Sequence, residues 1–341
     1  MKQTIDEMVS VWNEDEDFSG VITVSGPNSV LYQKAFGYRN RAEKLPNNPD
    51  TAFAIASGTK LFTSLAVCKL IDDGLLTLDD LICDVIVHDL KIINNKITVF
   101  HLLTHTSGVG DYIDEEESQE YYDILKLYEN RPVHKWDSLA FYLSAFNGLP
   151  QKFPPGERYG YSNAGFVLLG LVIEGASKQS YQQYVKDKII TPLGLAHTGF
   201  YRMNCLPGNT ANGYHFNEKH NEYEMNTLYM PIVGGSDGGI FTCAADIDIL
   251  WRAIVSHRLL SVEMTRQLLT AHVATDDETH CGLGVFIWEC DDKKAFYSVG
   301  GDFGVDYFSA YFPKSEIVAS ALGNTEENTF DIFEELFEML S

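Results

Sequence analysis

The sequence predicts an α+β fold in which both ends of the chain contribute strands to one antiparallel sheet. Strand-like runs occur near the start and again after residue 280, and the pattern between about residues 85 and 230 is mainly helical. Because strands joined by short turns pair antiparallel, one sheet with a helical insertion is the economical architecture. The predicted strands are Gly20–Ser25, Val30–Phe36, Gly282–Glu289, Ala295–Val299, Val305–Phe312 and Glu316–Leu322.

Helical patterns complete this plan. Apolar residues spaced three to four apart predict a helix over residues 3–13 and an amphipathic closing helix over Phe330–Leu340. A long apolar helix is predicted from about Ser57 to Asp73, and Gly74 stands where a helix end favours glycine. Shorter helical stretches lie in the middle of the chain, at Val99–Thr104, Trp136–Phe146 and Ala164–Ser177.

The length of 341 residues fits two domains, or one large domain with an insertion. We expect residues 1–84 and 231–341 to form an α/β region that contains the sheet. Residues 85–230 are expected to form the mainly helical region, with the catalytic cleft between the two. With 45% apolar residues, the chain has enough material for a substantial core.

The charge balance restricts the partners. The net charge is −23, from 48 acidic and 25 basic residues. Nucleic acids and anionic membrane surfaces are bound by clustered Lys and Arg, so neither is expected as a partner. A small-molecule substrate remains compatible with this charge, and the sequence leaves the oligomeric state open.

The chain contains no window with the roughly 18 uninterrupted apolar residues of a membrane span. Residues 1–10 also lack the apolar stretch of a signal peptide. The sequence as written therefore predicts a cytoplasmic protein, or one outside the cytoplasm if a leader has been removed. The six cysteines form no Cys-x-x-Cys pair, and we predict neither a metal site nor a cofactor.

The first candidate for chemistry is Ser57 with Lys60, at the start of the long helix. Residues three apart share a helix face, so the Lys60 amine can reach the Ser57 hydroxyl. The helix start also offers unpaired backbone N–H groups that stabilise an anion. A hydroxyl, an amine and such N–H groups are the requirements of acyl transfer. On this pattern alone, a helix-capping serine beside a solvated lysine is an equal alternative.

The second candidate is Tyr161-Ser162-Asn163. The same Tyr-x-Asn pattern occurs at Tyr38 and Tyr128, but only the copy at 161 lies in a Pro/Gly-rich loop that leads into an apolar helix. This context would place a phenol and an amide in a cleft. The alternative is ordinary turn residues, with the tyrosine at the core edge and the asparagine as a cap.

In order and flanking residues, these motifs resemble the serine β-lactamase and penicillin-binding protein superfamily. The similarity is greatest to its class C-related branch, which includes D-aminopeptidases and family VIII-type esterases. It covers about residues 18–323 and implies a β-lactamase/transpeptidase-like fold. The stretches that carry it are Ile55–Thr63, Leu102–Gly108, Pro155-Gly156, Tyr161–Asn163, Pro192–Gly194 and Gly238–Asp246.

The resemblance implies the roles of the site residues. Ser57 would attack a carbonyl, Lys60 and Tyr161 would share the proton transfers, and Asn163 would orient the substrate amide or Lys60. The backbone N–H groups of Ser57 and Asp302 would form the oxyanion hole. Which of Lys60 and Tyr161 is the base stays open.

The chain departs from the family at the third motif, where a Lys or His normally precedes a Thr, Ser or Gly and a Gly. The matching residues here are Val299, Gly300 and Gly301, which are expected to line the substrate cleft. The family's cation helps to hold a substrate carboxylate. Its loss costs about 1.5–3 kcal/mol, or roughly ten- to a hundredfold in rate or affinity. We therefore expect weak action on β-lactams and action on small esters, amides or peptide-like substrates.

Other motifs compete for a function. Gly234–Gly238 matches the nucleophile elbow of α/β-hydrolases, but a cleft-lining glycine loop is preferred because repeated βαβ units are missing. His101 and His105 are interpreted as structural, and a literal His197-Thr-Gly is interpreted as a decoy at a helix end. The rival from another functional class is a catalytically silent penicillin-binding-like binder or sensor, and Val299 motivates it.

Overall fold

A computed structural model describes residues 2–13, 18–91, 93–115, 132–217, 219–326 and 329–340. Its centre is an eight-stranded antiparallel sheet with the order β2-β1-β14-β13-β12-β11-β10-β9. These strands are β1 (Gly20–Ser25), β2 (Val30–Phe36), β9 (Val273–Ala274), β10 (Thr279–Cys281), β11 (Phe286–Cys290), β12 (Lys293–Asp302), β13 (Val305–Phe312) and β14 (Ile317–Gly323).

The register joins the two ends of the chain. Gly20 pairs with Gly323 and Ser25 with Val318 along the full length of β1 and β14. This confirms the predicted α+β fold with a sheet drawn from both chain ends. Three small two-stranded sheets add β3 (Tyr38–Asn40) with β4 (Leu45–Pro46), β5 (Phe53–Ala54) with β8 (Phe241–Thr242), and β6 (Tyr214–Asn217) with β7 (Glu222–Met225).

Helices cover both faces of the large sheet. They are α1 (Lys2–Trp12), α2 (Thr59–Asp72), α3 (Ile82–Val85), α4 (Val99–Leu103), α5 (Leu139–Phe146), α6 (Asn163–Ser177), α7 (Tyr181–Val185), α8 (Thr191–Leu193), α9 (Ala244–Val255), α10 (Val262–Leu268) and α11 (Thr329–Leu340). None of the helices among these described residues is long and apolar enough to cross a membrane.

A separate hydrophobic cluster lies on each face of the large sheet. The terminal helices α1 and α11 cover one face, where Phe333 stacks on Phe308 with ring centroids 4.1 Å apart. The other face carries the larger cluster, in which apolar residues of α2, α6 and α9 are fully buried. Burial of this much apolar surface is the main stabilising contribution to the fold. It also makes α2 a rigid support for the residues at its start.

The structure differs from the predicted elements at three places. The strand predicted from Gly282 begins only at Phe286, because Gly284 has a φ of +74° and Gly282 N–H closes a turn on Val285 O. The hairpin of β6 and β7 lies inside the region predicted to be mainly helical. After the glycine loop, Thr242 is by residue type the natural N-cap for the next helix, but that helix begins at Ala244 with Cys243 as its N-cap.

Candidate active site

The turn that carries Ser57 is backbone-strained. Residues Ala56–Gly58 form a 3-10 turn ahead of α2, and Ala56 has a φ of +42°, a region that alanine rarely occupies. Thr59 holds this turn, since its Oγ1 donates to Ala56 O at 2.7 Å and accepts from Ile240 N at 3.0 Å. Strain of this kind persists only where the surroundings enforce it, and it clusters at functional sites.

Ser57 Oγ lies between an amine and a phenol. Lys60 Nζ is 2.8 Å from Ser57 Oγ, and Tyr161 OH is 2.9 Å from the same oxygen. Lys60 is buried although it carries an amine. The structure therefore brings together the three residues that sequence reasoning had selected from two distant motifs.

Two further oxygen atoms accept hydrogen bonds from the Lys60 amine. Asn163 Oδ1 accepts from Lys60 Nζ at 2.7 Å, and the backbone oxygen of Asp237 accepts from it at 2.8 Å. The amide of Asn163 is oriented by Glu115, whose Oε1 accepts from Asn163 Nδ2 at 2.9 Å. Asn163 thus lies in direct contact with Lys60. Glu115 was singled out only as part of the acidic run 114–117, whose last two residues lie outside the described residues.

The surroundings set the protonation of both groups beside Ser57. Burial lowers the pKa of Lys60, although the carboxylates of Asp237, Glu115 and Asp111 partly oppose this. Burial raises the pKa of Tyr161 well above its ordinary value. The phenol therefore stays protonated at neutral pH, and the amine is the group of this pair that loses its proton more readily.

A neutral imidazole lies under the Tyr161 ring. His105 stacks on Tyr161 with centroids 4.6 Å apart and on Phe166 with centroids 4.9 Å apart. Its Nδ1 accepts from Ser162 N at 3.0 Å. Burial lowers the pKa of His105 to about 3, and the charge of Lys60 contributes. Sequence reasoning interpreted His105 as structural, and these contacts make it a positioning residue for the phenol.

The start of α6 fixes the spacing between Tyr161 and Asn163. Ser162 is the N-cap, and its Oγ accepts from Gly165 N at 2.9 Å. Asp111 adds a second acceptor, since its Oδ2 takes hydrogen bonds from Ser162 Oγ at 2.8 Å and Ala164 N at 3.0 Å. A carboxylate at a helix N-terminus satisfies unpaired N–H groups. Sequence reasoning missed Asp111, which no motif marks.

Strand β12 borders the nucleophile, and side chains along a strand alternate between its two faces. A Cβ on Gly300 would lie 2.7 Å from Ser57 N, so the even-numbered residues of this strand face the nucleophile. Val299 instead packs against the cluster of the terminal helices. The prediction that Val299 occupies the place of the family's cation is therefore wrong, because its side chain lies on the opposite face. Ser298 and Asp302 share the face of Gly300, and neither is a cation.

The pairing of β12 with β13 also corrects the predicted oxyanion hole. Asp302 pairs with Val305 across the two-residue turn Phe303-Gly304, and a pair that closes such a turn exchanges both backbone hydrogen bonds. The Asp302 N–H is thereby engaged within the hairpin. Hydrogen-bonded pairs alternate, so the N–H of Gly301 points away from β13. On that side β12 pairs with β11 only as far as Tyr297, which leaves the N–H of Gly301 at a free strand edge.

A cavity of about 790 Å³ opens over Ser57. Val299, Gly300, Gly301 and Asp302 all line it, as do Tyr161 and Asn163. Its other walls are mainly aromatic, from Tyr112, Trp136, Tyr142, Tyr159, Phe286 and Phe303. The size and apolar walls suit a small organic substrate.

The competing motifs supply no second nucleophile or cation to this site. In the glycine loop, Ser236 is fully buried and follows no strand, so it is not a nucleophile. The neighbouring Asp237 is also buried and accepts a hydrogen bond from Tyr112 OH, while its backbone holds Lys60. The decoy His197-Thr-Gly does not line the cavity, and Thr198 Oγ1 donates to Asp246 instead.

The sheet and the helices around it define the β-lactamase/transpeptidase-like fold, and the contacts of Ser57 with Lys60 and Tyr161 lie in its cleft. The chain belongs to the beta-lactamase family, whose model matches residues 3–339.

Individual relatives agree with this assignment. A penicillin-binding protein from Bacillus halodurans superposes with a TM-score of 0.90 at 35% identity, covering 99% of this chain and 100% of that one. An octameric penicillin-binding protein homologue from Pyrococcus abyssi gives 0.84 at 25% identity over 99% and 77% of the two chains. Protein flp of Staphylococcus aureus is 34% identical over 188 residues, 54% of this chain and 35% of that protein. The match therefore spans about a third of the length of protein flp.

Proposed function

We propose that this protein hydrolyses small esters, amides or peptide-like substrates through an acyl-enzyme on Ser57, and that it acts weakly on β-lactams. The observation that carries the proposal is the position of Ser57 Oγ, 2.8 Å from Lys60 Nζ and 2.9 Å from Tyr161 OH. These distances allow direct proton transfer to and from the nucleophile.

Lys60 is the better candidate for the base. A neutral amine has two N–H donors and one lone pair. The two acceptors Asn163 Oδ1 and Asp237 O have no hydrogen to give, and Glu115 fixes the direction of the Asn163 amide. Both N–H groups are therefore directed to these oxygen atoms, and the lone pair is left for the Ser57 hydroxyl. The lowered pKa of Lys60 favours this neutral form.

The acylation step follows from this assignment. Ser57 Oγ bonds to the substrate carbonyl carbon while its proton passes to Lys60, and the carbonyl oxygen becomes an anion. The N–H groups of Ser57 and Gly301 are placed to stabilise that anion. As the bond to the leaving group breaks, Tyr161 OH donates a proton to the leaving atom and is reprotonated from Lys60. Water then attacks the acyl-enzyme by the same path in reverse.

The proposed weakness toward β-lactams rests on the missing cation. The residues that face Ser57 from β12 are Ser298, Gly300 and Asp302, so no positive charge of this strand meets a substrate carboxylate. The proton-transfer contacts remain intact. This combination supports turnover of substrates without a carboxylate, and it gives no support to a silent binder.

A labelling experiment tests the proposal. The protein is treated separately with a fluorophosphonate and with a penicillin, adducts are located by mass spectrometry, and turnover is measured on p-nitrophenyl esters, amides and nitrocefin. We expect a fluorophosphonate adduct on Ser57 and ester turnover that falls at least a thousandfold in Ser57→Ala. Ser256→Ala, which removes an exposed hydroxyl at the residue that follows α9, serves as the matched control. Stable labelling without turnover of any substrate would favour a sensor, and the lack of any Ser57 adduct would refute both functions.

A further inference from the structure

The hairpin of β6 and β7 carries a cluster of imidazoles and carboxylates away from the catalytic cleft. In the register of this pair, His215 lies directly opposite Glu224, and Asn217 lies opposite Glu222. Opposed residues of an antiparallel pair point to the same face, so these four side chains share one face of the hairpin. His220 lies between the two strands. No metal site was predicted from the sequence, because strand pairing is what brings these groups together.

Glu224 is the centre of this cluster. Its Oε1 lies 3.1 Å from His220 Nδ1 and accepts a hydrogen bond from Asn217 Nδ2 at 2.8 Å. Its Oε2 lies 3.7 Å from His215 Nε2. The ligand atoms of His220, Glu222 and Glu224 all lie within 4.8 Å of one another. One carboxylate therefore lies beside both imidazoles, and a second carboxylate is close to it.

His215 adds a second, independent observation. The residue is only 5% exposed, and within the described part of the chain its Nε2 has no hydrogen-bond partner. A buried polar atom without a partner is destabilising, and such atoms are rare in folded proteins. Glu224 Oε2, at 3.7 Å, is too far away for a hydrogen bond. A cation bound by both atoms would satisfy the imidazole and the carboxylate together.

The spacing and chemistry of these atoms suit a divalent metal ion of the zinc type. Nitrogen and oxygen ligands bind zinc at about 2.0–2.2 Å, so two ligands of a tetrahedral site lie about 3.4 Å apart. The distances from Glu224 to the two imidazoles, 3.1 Å and 3.7 Å, lie on either side of this value. Imidazole ligands favour zinc and similar transition metals, whereas Mg²⁺ and Ca²⁺ prefer oxygen ligands.

We propose that this hairpin binds one divalent ion of the zinc type through His215, His220, Glu222 and Glu224. The His215 ring is fixed by packing, since it lies edge-on to Tyr229 with ring centroids 5.3 Å apart. His220 and Glu222 are exposed, so their side chains can turn toward the ion. Two carboxylates balance the charge of the ion, and the net charge of −23 attracts cations to the whole chain.

The position of the site gives the ion a structural role. The His215 ring also lies edge-on to Phe303, with centroids 6.1 Å apart, and Phe303 lines the cavity over Ser57. Asn226, which directly follows β7, donates from Nδ2 to Phe303 O at 2.6 Å. A bound ion would therefore cross-link the hairpin that supports the turn between β12 and β13. It would not contact the substrate, and the inference does not depend on the proposed function.

Titration of the full chain with Zn²⁺ tests the site. The protein is first treated with a chelator, which is then removed, and its exposed thiols are alkylated so that Cys83 and Cys205 cannot bind the ion. We expect calorimetry to show one Zn²⁺ per chain with a Kd of about 10 μM or lower, and Mg²⁺ at the same concentration to give no binding. Zn²⁺ should also raise the midpoint of thermal unfolding.

Variants assign the ion to these side chains. His215→Gln, His220→Gln and Glu224→Gln should each weaken Zn²⁺ binding about tenfold or more. His88→Gln removes an exposed imidazole outside the cluster and should bind Zn²⁺ like the wild type. His220 is exposed, so its variant should fold normally, which the unfolding midpoint of the metal-free protein checks.

Each outcome decides the proposal. If the wild-type chain shows no saturable Zn²⁺ binding, the site does not exist, and this result needs no variant. Binding that survives both His220→Gln and Glu224→Gln would show an adventitious ion elsewhere and would refute the assignment. Binding lost in these variants and retained in His88→Gln supports it. Hydrolysis through Ser57 is measured separately, so failure of the metal site leaves the proposed function standing.

Discussion

At the scale of single residues, the contact of Gly300 with the nucleophile turn is the tightest constraint on the site. A Cβ at this position would collide with Ile55 O and lie 2.7 Å from Ser57 N, and both of these atoms belong to backbone. Neither can move away like a flexible side chain. The closeness of β12 to Ser57, and with it the spacing between the two N–H groups of the proposed oxyanion hole, depends on glycine here.

Gly300→Ala should therefore impair catalysis. We expect kcat/KM on a p-nitrophenyl ester to fall about ten- to a hundredfold, because displacing the strand by a fraction of an ångström misplaces the oxyanion donors. Gly208→Ala, at a glycine whose added Cβ meets no atom within 4 Å, is the control and should retain activity. Wild-type kinetics in Gly300→Ala would show that the strand does not set the geometry of the reaction.

The sequence alone identified the site residues that belong to motifs and missed the others. Ser57 and Lys60 share one helical turn, so local spacing was sufficient to predict their contact. Glu115 reaches Asn163 across 48 residues of chain, and Tyr112 reaches Asp237 across 125. No local pattern encodes such pairs, because they depend on how separate loops pack together.

At the scale of elements, the first turn of α6 determines where Tyr161 and Asn163 stand. Asp111 and Ser162 together satisfy the N–H groups of Ala164 and Gly165 and so fix the direction in which the loop enters the helix. Tyr161 and Asn163 flank that cap directly. Losing hydrogen bonds at this cap should therefore lower catalytic activity as well as stability.

Asp111→Ala tests this coupling. Loss of the acceptor should cost about 1–2 kcal/mol of unfolding free energy and lower kcat/KM about tenfold or more. Asp111→Asn keeps an acceptor oxygen and should recover most of both losses. Chemical denaturation and ester kinetics on the same preparations provide the readouts. If the alanine variant loses stability while kcat/KM stays at the wild-type value, the cap does not position the phenol and the amide.

The register of an element was harder to predict than its existence. The predicted bounds of β13 match the observed ones, whereas β12 was predicted only over Ala295–Val299. The predicted oxyanion donor, Asp302, lies one residue beyond Gly301, whose N–H is the free one. A strand has a period of two, so an error of one residue reverses which N–H groups and side chains face the cleft. The information lies in the Phe303-Gly304 turn, which fixes the pairing of Asp302 with Val305.

At the scale of the whole molecule, the sheet shared by both chain ends was predictable because strong β patterns occupy those ends. The buried titratable groups around the cleft were not predictable from the sequence. They should make the stability of the protein depend on pH. Burial raises the pKa of Asp302 to about 7 and that of Asp111 to about 6, and lowers the pKa of His105 to about 3. All three shifts oppose ionisation of a group beside the active site.

The sign of the Asp302 effect can be worked out. Between about pH 4 and pH 7 the folded protein holds a proton on Asp302 that the unfolded chain has released, so this carboxyl lowers the unfolding free energy as pH rises. Asp302→Asn should thus stabilise the protein relative to wild type by about 1–3 kcal/mol more at pH 8 than at pH 4. His105 acts in the opposite direction, since its stabilisation is lost as pH falls from about 6.5 to 3. Denaturant titrations across this range, with Asp79→Asn as an exposed control, measure the difference.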